Sequence, residues 1–372
     1  MLRKFKVSNF KCFRDDFEFN LAEVNNYSFN SECVKNGIVN AALIYGHNGM
    51  GKSNLGLAIF DIIEHLTDQR RDESRYSNYM NAYSLSPTVD FYYEFLINGK
   101  IVKYSYKKTD YKNLIYEEFA IDDVVLVSFD RKNGNTNFSV HLKGAENLNT
   151  RITDHQLSVL KYIKNNTVLE ENEQNDIFKA FFGFVERMLF FRSLEDRTYM
   201  GLQDTGKKRL SEDIIERGNI EDFENFLNKA NIHCKLSMVE SLIGKDLAFD
   251  FNGKKLLMSE IMSTGTSALT LFYYWYQRVR NNEVSFLFID EFDAFYHHDL
   301  SKMVVKILKA IGVQFILTTH NTSILSNDLL RPDCYFLMNK KKIQSLSNST
   351  DKELREAHNI EKMYKAGAFN VD

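Results

Sequence analysis

Only two prolines, Pro87 and Pro332, punctuate the 372 residues, and no Pro/Gly/Ser-rich or low-complexity tract separates one half of the chain from the other. A flexible interdomain linker is thereby excluded, and insertions into one body are expected in place of tandem domains. The four cysteines, Cys12, Cys33, Cys234 and Cys334, include no CxxC pair. That excludes a zinc ribbon and a disulfide framework, and predicts reduced thiols. Charge of one sign is also missing: a net charge of −3 and a pI near 6.3 give no overall basic field to attract nucleic acid or an anionic membrane. No uncharged apolar run approaches bilayer length, and the opening Met1-Leu2-Arg3-Lys4-Phe5-Lys6-Val7 lacks the apolar core of a secretory leader. A cytoplasmic chain without a membrane partner is expected.

What is present is ample apolar material: 44% hydrophobic residues, with 30 Phe and 19 Tyr, can fill a large core. Phe5 to Phe13 mixes apolar and polar residues as an opening strand would, and Ala41-Ala42-Leu43-Ile44-Tyr45 predicts a buried strand ahead of a periodic stretch from Leu55 to Leu66. Between Thr88 and Leu142 the pattern alternates, with Asn98-Gly99 and Asn133-Gly134 as hairpin signals, which predicts an antiparallel β-meander. From Thr153 to about Ala230 three- and four-residue spacing predicts helices. Strands over Val284 to Ile289 and Val313 to Leu317 bracket a helix over Asp299 to Ile311 that stops at Gly312. This β–α–β order predicts an α/β fold, a mainly parallel sheet flanked by helices, with the meander and a helical lobe inserted. The expected division is 1–150, 151–255 and 256–372.

Gly46-His47-Asn48-Gly49-Met50-Gly51-Lys52-Ser53 then stands where a strand feeds a helix. That is the spacing and context of a phosphate-binding loop, in which backbone N–H groups, those of Asn54 and the first helical turn included, converge on an anion. Lys52 can reach the β- and γ-phosphates and the Ser53 hydroxyl can ligate Mg²⁺, so ATP with Mg²⁺ is the expected ligand. Phe286-Leu287-Phe288-Ile289-Asp290-Glu291 is an apolar strand ending in two carboxylates. Asp290 can hold Mg²⁺ through water, and Glu291 can activate a water for attack on the γ-phosphate. Thr318-Thr319-His320 ends the next strand, placing His320 as a γ-phosphate sensor. Met262-Ser263-Thr264-Gly265-Thr266 opens an apolar helix and reads either as an N-cap or as a second anion site at Ser263, Thr264 and Gly265.

Phosphate loop, Ser-Thr-Gly-Thr, Phe-Ile-Asp-Glu and Thr-Thr-His, in that order, resemble ABC-type ATPases of the branch that includes SMC, RecF and OLD-like proteins, the AAA family ATPases. The resemblance also takes in Ser8 to Phe13, the meander and Asn359 to Tyr364, and so covers nearly the whole chain. It implies a head-to-tail dimer with two sandwiched ATP molecules, in which Ser263 and Gly265 complete the partner's site and Asn9 to Phe13 lie near the base. It implies catalytic roles for Lys52, Glu291 and His320. The Q-loop glutamine of the family has no clear counterpart, Gln203 being the candidate without a motif around it.

Sustained heptads are absent between Ser53 and Ser263, which sets the chain apart from tethering SMC and DNA-repair hook proteins. The stretch after His320 leaves no room for a TOPRIM nuclease, so any effector is expected to be a separate protein. The resemblance then implies a stand-alone ATPase of the kind found in bacterial anti-phage and abortive-infection systems, acting as sensor or scaffold for a nuclease or toxin. The alternative is a RecF-like clamp on duplex DNA. The basic runs Lys207-Lys208-Arg209 and Lys340-Lys341-Lys342 are short, the second reading as a hairpin turn, so nucleic acid stays an open partner that net charge does not indicate. A small-molecule kinase leaves Ser263 to Thr266 and His320 without a role.

Overall fold

The apolar run Ala41–Tyr45 is buried at every position, as a strand covered on both faces must be, and it is an inner strand of the sheet that carries the candidate site. The computed structural model describes residues 1–68, 73–193, 199–202, 209–241 and 244–370. Gln203 and the Lys207-Lys208 pair lie outside the described residues.

The central sheet has seven strands. In spatial order they are Tyr199–Gly201, Met188–Arg192, Phe286–Asp290, Gln314–Thr319, Ala41–Tyr45, Tyr335–Met338 and Ile343–Ser345. The five inner strands run parallel and the two edge strands antiparallel. Parallel neighbours bring their C-terminal ends to one edge of the sheet, where α/β folds place ligands. The helix Lys52–Leu66 packs against one face, and Gly56 allows the approach: a Cβ there would come within 2.6 Å of Phe190 and 2.9 Å of Phe288. Phe191, the next residue along that strand, points the other way and stacks on Trp275 of the helix Thr264–Arg280, centroids 6.1 Å apart.

A second seven-stranded sheet is antiparallel throughout. It contains the meander strands Val89–Ile97, Lys100–Lys108, Leu114–Ile121, Val124–Asp130 and Ser139–Val140, with Leu2–Ser8 and Phe17–Asn20 added beside the first of them. Asn98 and Gly99 both take positive φ, 50° and 80°, the conformation that a two-residue hairpin requires. This sheet covers the other side of the helix Lys52–Leu66. Tyr93 donates to the carbonyl of Ala58 at 3.0 Å. Asp61, fully buried, accepts from Tyr79, Tyr106 and Lys108 at 2.9, 2.9 and 2.6 Å. Each of those bonds satisfies a polar group that burial alone would penalise by kilocalories.

Two expectations need amendment. The opening strand stops at Ser8, because Asn9 and Lys11 adopt positive φ and Phe10 bridges back to Phe13 in a tight turn. The strand pairs with Phe17–Asn20 and Val89–Ile97 in the antiparallel sheet. Within the stretch read as helical, Val159–Asn166, Glu173–Glu186, Leu210–Glu216 and Ile220–Lys229 are helices, but Met188–Arg192 is an inner strand of the central sheet. Its four apolar residues fit a strand as well as a helix turn, and only tertiary placement decides. A small sheet, Leu236–Ser241, Gly244–Phe251 and Lys254–Leu257, follows before the helix at Thr264.

Candidate functional site

Three parallel strands, Ala41–Tyr45, Gln314–Thr319 and Phe286–Asp290, end side by side, and the residues that follow each of them converge. After Tyr45 the chain turns through residues 46–51 into the helix at Lys52. Gly51 is the N-cap with φ 100°, a left-handed value that glycine tolerates, and a Cβ there would fall 2.5 Å from the Sγ of Cys12. No side chain caps this helix. Its first amide N–H groups, which have no intrahelical acceptor, are therefore available to an anion at the positive end of the helix dipole. His47, Asn48 and Gly49 form the exposed crest of the loop.

Lys52 is buried at 6% exposure and its ammonium lies inside the turn, donating to the carbonyl of Gly46 at 2.7 Å. It sits 3.1 Å from Nε2 of His320. Burial pulls its pKa below the usual lysine range, against the opposing pull of Asp290 and Glu291. Ser53 Oγ donates to Asp290 Oδ2 at 2.6 Å, and Thr318 Oγ1 donates to Asp290 Oδ1 at 2.6 Å. A fully buried carboxylate beside a serine hydroxyl is a hard-oxygen donor set, the kind that suits Mg²⁺. The residues present therefore fit a magnesium–nucleotide complex.

Glu291 has φ 48°, a strained value for a residue with a side chain, and its N–H donates to Thr318 Oγ1 at 2.8 Å. That turn directs the carboxylate to within 3.7 Å of His320 Nε2. Both side chains are partly open to solvent, at 25% and 39%. The next turn is held from below: Thr319 Oγ1 donates to both oxygens of Asp293 at 2.7 and 2.8 Å. Burial raises the pKa of Asp293, and the Thr319 hydroxyl offsets part of that rise.

Lys52, Ser53, Asp290, Glu291 and His320 thus gather at one sheet edge. Asn54 faces elsewhere, its side-chain amide donating to Cys12 Sγ at 3.1 Å. Asn9 is buried, with its amide donating to the carbonyls of Ser86 and Thr88 at 3.0 and 2.8 Å, so it holds the loop before the meander. Ser263 caps the helix Thr264–Arg280, its Oγ accepting from the N–H of Thr266 at 3.2 Å. Ser263 and Thr264 are exposed, and Ser263 bonds within its own turn; no hydrogen bond joins them to residues 46–54 among the described residues.

Sequence reasoning missed Arg192, whose Nε stands 3.1 Å from Asp290 Oδ2, and Asp293 beneath His320. A signal for Arg192 existed: Met188-Leu189-Phe190-Phe191-Arg192 has the same build as Phe286 to Asp290, an apolar run ending in one charge.

A family profile described as "AAA domain, putative AbiEii toxin, Type IV TA system" matches residues 41–326. None of the curated proteins compared matches. Among solved structures the chain is similar to an SmcHead bound to the C-winged helix domain of ScpA, at 14% identity and TM-score 0.47 over 93% of this chain and 97% of that one. It is also similar to the SMC head domain from Thermotoga maritima, at 15% identity and TM-score 0.44 over 92% and 98%. A Pyrococcus furiosus Smc head with an extended coiled coil, bound to the C-terminal domain of ScpA, matches at 11% identity and TM-score 0.45 over 93% and 96%.

Proposed function

The chain belongs to the AAA-domain family so described, and from that premise we propose that it is a Mg²⁺-dependent ATPase that closes head to tail around two nucleotides and governs a separate effector protein. The observation that carries this reading is the convergence of Lys52, Ser53, Asp290, Glu291 and His320 on one sheet edge beside an uncapped helix N-terminus.

In this reading the loop amides and Lys52 bind the phosphates, and Ser53 with Asp290 would hold Mg²⁺, which supplies charge neutralisation at the phosphates when bound. Glu291 accepts the proton of the attacking water, and its strained turn fixes the direction of attack. His320, within reach of both Lys52 and Glu291, registers the terminal phosphate by hydrogen bonding. Ser263 and Thr264, exposed at the start of a 17-residue helix, and the half-buried Gly265 beside them offer amide N–H groups to the nucleotide of a second copy.

The family description names a toxin of a toxin–antitoxin system. That supports a role in abortive infection or anti-phage defence, with the ATPase as sensor or scaffold and a nuclease or toxin as effector. Phosphate release and sedimentation of the purified chain, each with and without ATP and Mg²⁺, test the core of the proposal. Metal-dependent release and an ATP-dependent dimer are expected; a chain that binds ATP but stays monomeric and inert overturns it.

A further inference from the structure

Arg192 ends the strand Met188–Arg192, and the parallel register sets it directly opposite Asp290. Its Nε lies 3.1 Å from Asp290 Oδ2, the same oxygen that accepts from Ser53. Hydroxyl donors already satisfy both carboxylate oxygens, Ser53 on one and Thr318 on the other. Arg192 therefore adds a positive charge beside a carboxylate whose two oxygens each already have a hydroxyl donor. Its side chain is 28% exposed while that of Asp290 is fully buried.

We propose that Arg192 is a resident cation on the metal-binding carboxylate, which Mg²⁺ must displace when it enters with nucleotide; this rests on the ATPase reading above. A divalent ion arriving on Oδ2 would meet a guanidinium whose Nε lies 3.1 Å from that same oxygen, and like charges crowded onto one carboxylate in a poorly solvated site repel strongly. Movement of Arg192 is passed on at once. The N–H of Ser193 donates to the carbonyl of Asp290 at 3.3 Å, and Ser193 Oγ donates to the carbonyl of Phe292 at 3.2 Å. Metal entry is thereby coupled to the turn that carries Glu291.

The test measures free Mn²⁺ by electron paramagnetic resonance during titration of the full chain with Mn²⁺ in the presence of ATPγS. Wild type, Arg192→Gln and Arg192→Lys are compared, each with its thermal melt. Arg192→Gln is expected to bind Mn²⁺ about tenfold more tightly, roughly 1.4 kcal/mol, while metal-free ATPγS affinity in EDTA changes by less than about twofold. Arg192→Lys, which keeps the charge, stays within about threefold of wild type. A merely structural arginine would give the opposite sign, so equal or weaker Mn²⁺ binding by folded Arg192→Gln overturns the inference. Should that variant fail to fold, hydrogen exchange on wild type decides: amides at 192–193 exchange faster with Mn²⁺ and ATPγS than with ATPγS alone, and unchanged exchange refutes displacement. Wild-type protein that binds ATPγS but takes up no Mn²⁺ refutes this inference alone, whereas failure to bind ATPγS removes the ATPase reading with it.

Discussion

Ser53 Oγ donates a 2.6 Å hydrogen bond to Asp290 Oδ2, joining a helix start to a strand end 237 residues further along the chain. Neither residue has a metal-binding arrangement by itself. The parallel sheet brings the two together by setting Phe286–Asp290 beside Gln314–Thr319, which in turn adjoins Ala41–Tyr45.

Glu291→Gln should lower the rate of ATP hydrolysis by about 10²- to 10⁴-fold, because the amide keeps the shape of the side chain and loses its basicity. ATP binding should persist, and the ATP-bound dimer should accumulate in sedimentation. Wild-type turnover by this variant would remove Glu291 from catalysis.

Lys52→Ala should cost about 1.5–3 kcal/mol of ATP affinity, since the phosphates lose a charge-assisted donor in a loop with no other ammonium placed inside it. Calorimetry on a variant whose melt matches wild type measures this directly. Unchanged affinity would mean that the carbonyl of Gly46 is the lasting partner of Lys52, as it is at 2.7 Å here.

Gly265→Arg should block approach of the helix start to a second copy by adding a long charged side chain there; within its own chain a Cβ at that position meets the carbonyl of Phe295 at 3.3 Å, so the variant's melt is compared with wild type. Alone, it should abolish hydrolysis while leaving ATP binding intact. Mixed with Lys52→Ala it should restore part of the activity, because one composite site then carries both lesions and the other carries none. Mixed dimers that form yet stay inactive, together with no ATP-dependent cross-link between copies near Ser53 and Ser263, would defeat the head-to-tail arrangement.

Lys108→Met should destabilise the chain by about 3 kcal/mol or more, as it strands a buried carboxylate; Asp61 and Lys108 are both fully inaccessible and 2.6 Å apart. The double variant Asp61→Asn/Lys108→Met should recover most of that loss in a denaturant titration. If the single variant unfolds at the wild-type midpoint, the pair contributes nothing net.

Much of the site was legible because its residues are fixed by local spacing. Gly46 to Ser53 must follow a strand and open a helix, and Asp290, Glu291 and His320 must end apolar runs, so the chemistry is written into short segments. The meander could be read from its alternation and from Asn98-Gly99. Arg192 escaped because an apolar run of four carries no period that separates strand from helix, and because its partner Asp290 is remote in sequence. Asp293 escaped for a related reason: its hydrogen bonds to Thr319 exist only once the two strands lie side by side. The end of the first strand at Ser8 depended on positive φ at Asn9 and Lys11, which asparagine tolerates but lysine does not advertise.

The order of strands also sets a timetable. Ala41–Tyr45 leaves the ribosome early, yet its two neighbours in the sheet are Gln314–Thr319 and Tyr335–Met338. Gln314 itself binds both the N–H and the carbonyl of Leu2, at 2.7 and 2.8 Å, across 312 residues. During synthesis residues 46–53 therefore hang from an unpaired strand until residues 314–338 have been made, and such late long-range pairing folds slowly. A nascent chain stopped before Phe286 would own every residue of that loop and still lack the strand ends that bring Asp290, Glu291 and His320 beside Lys52, so under the ATPase reading it would be inactive.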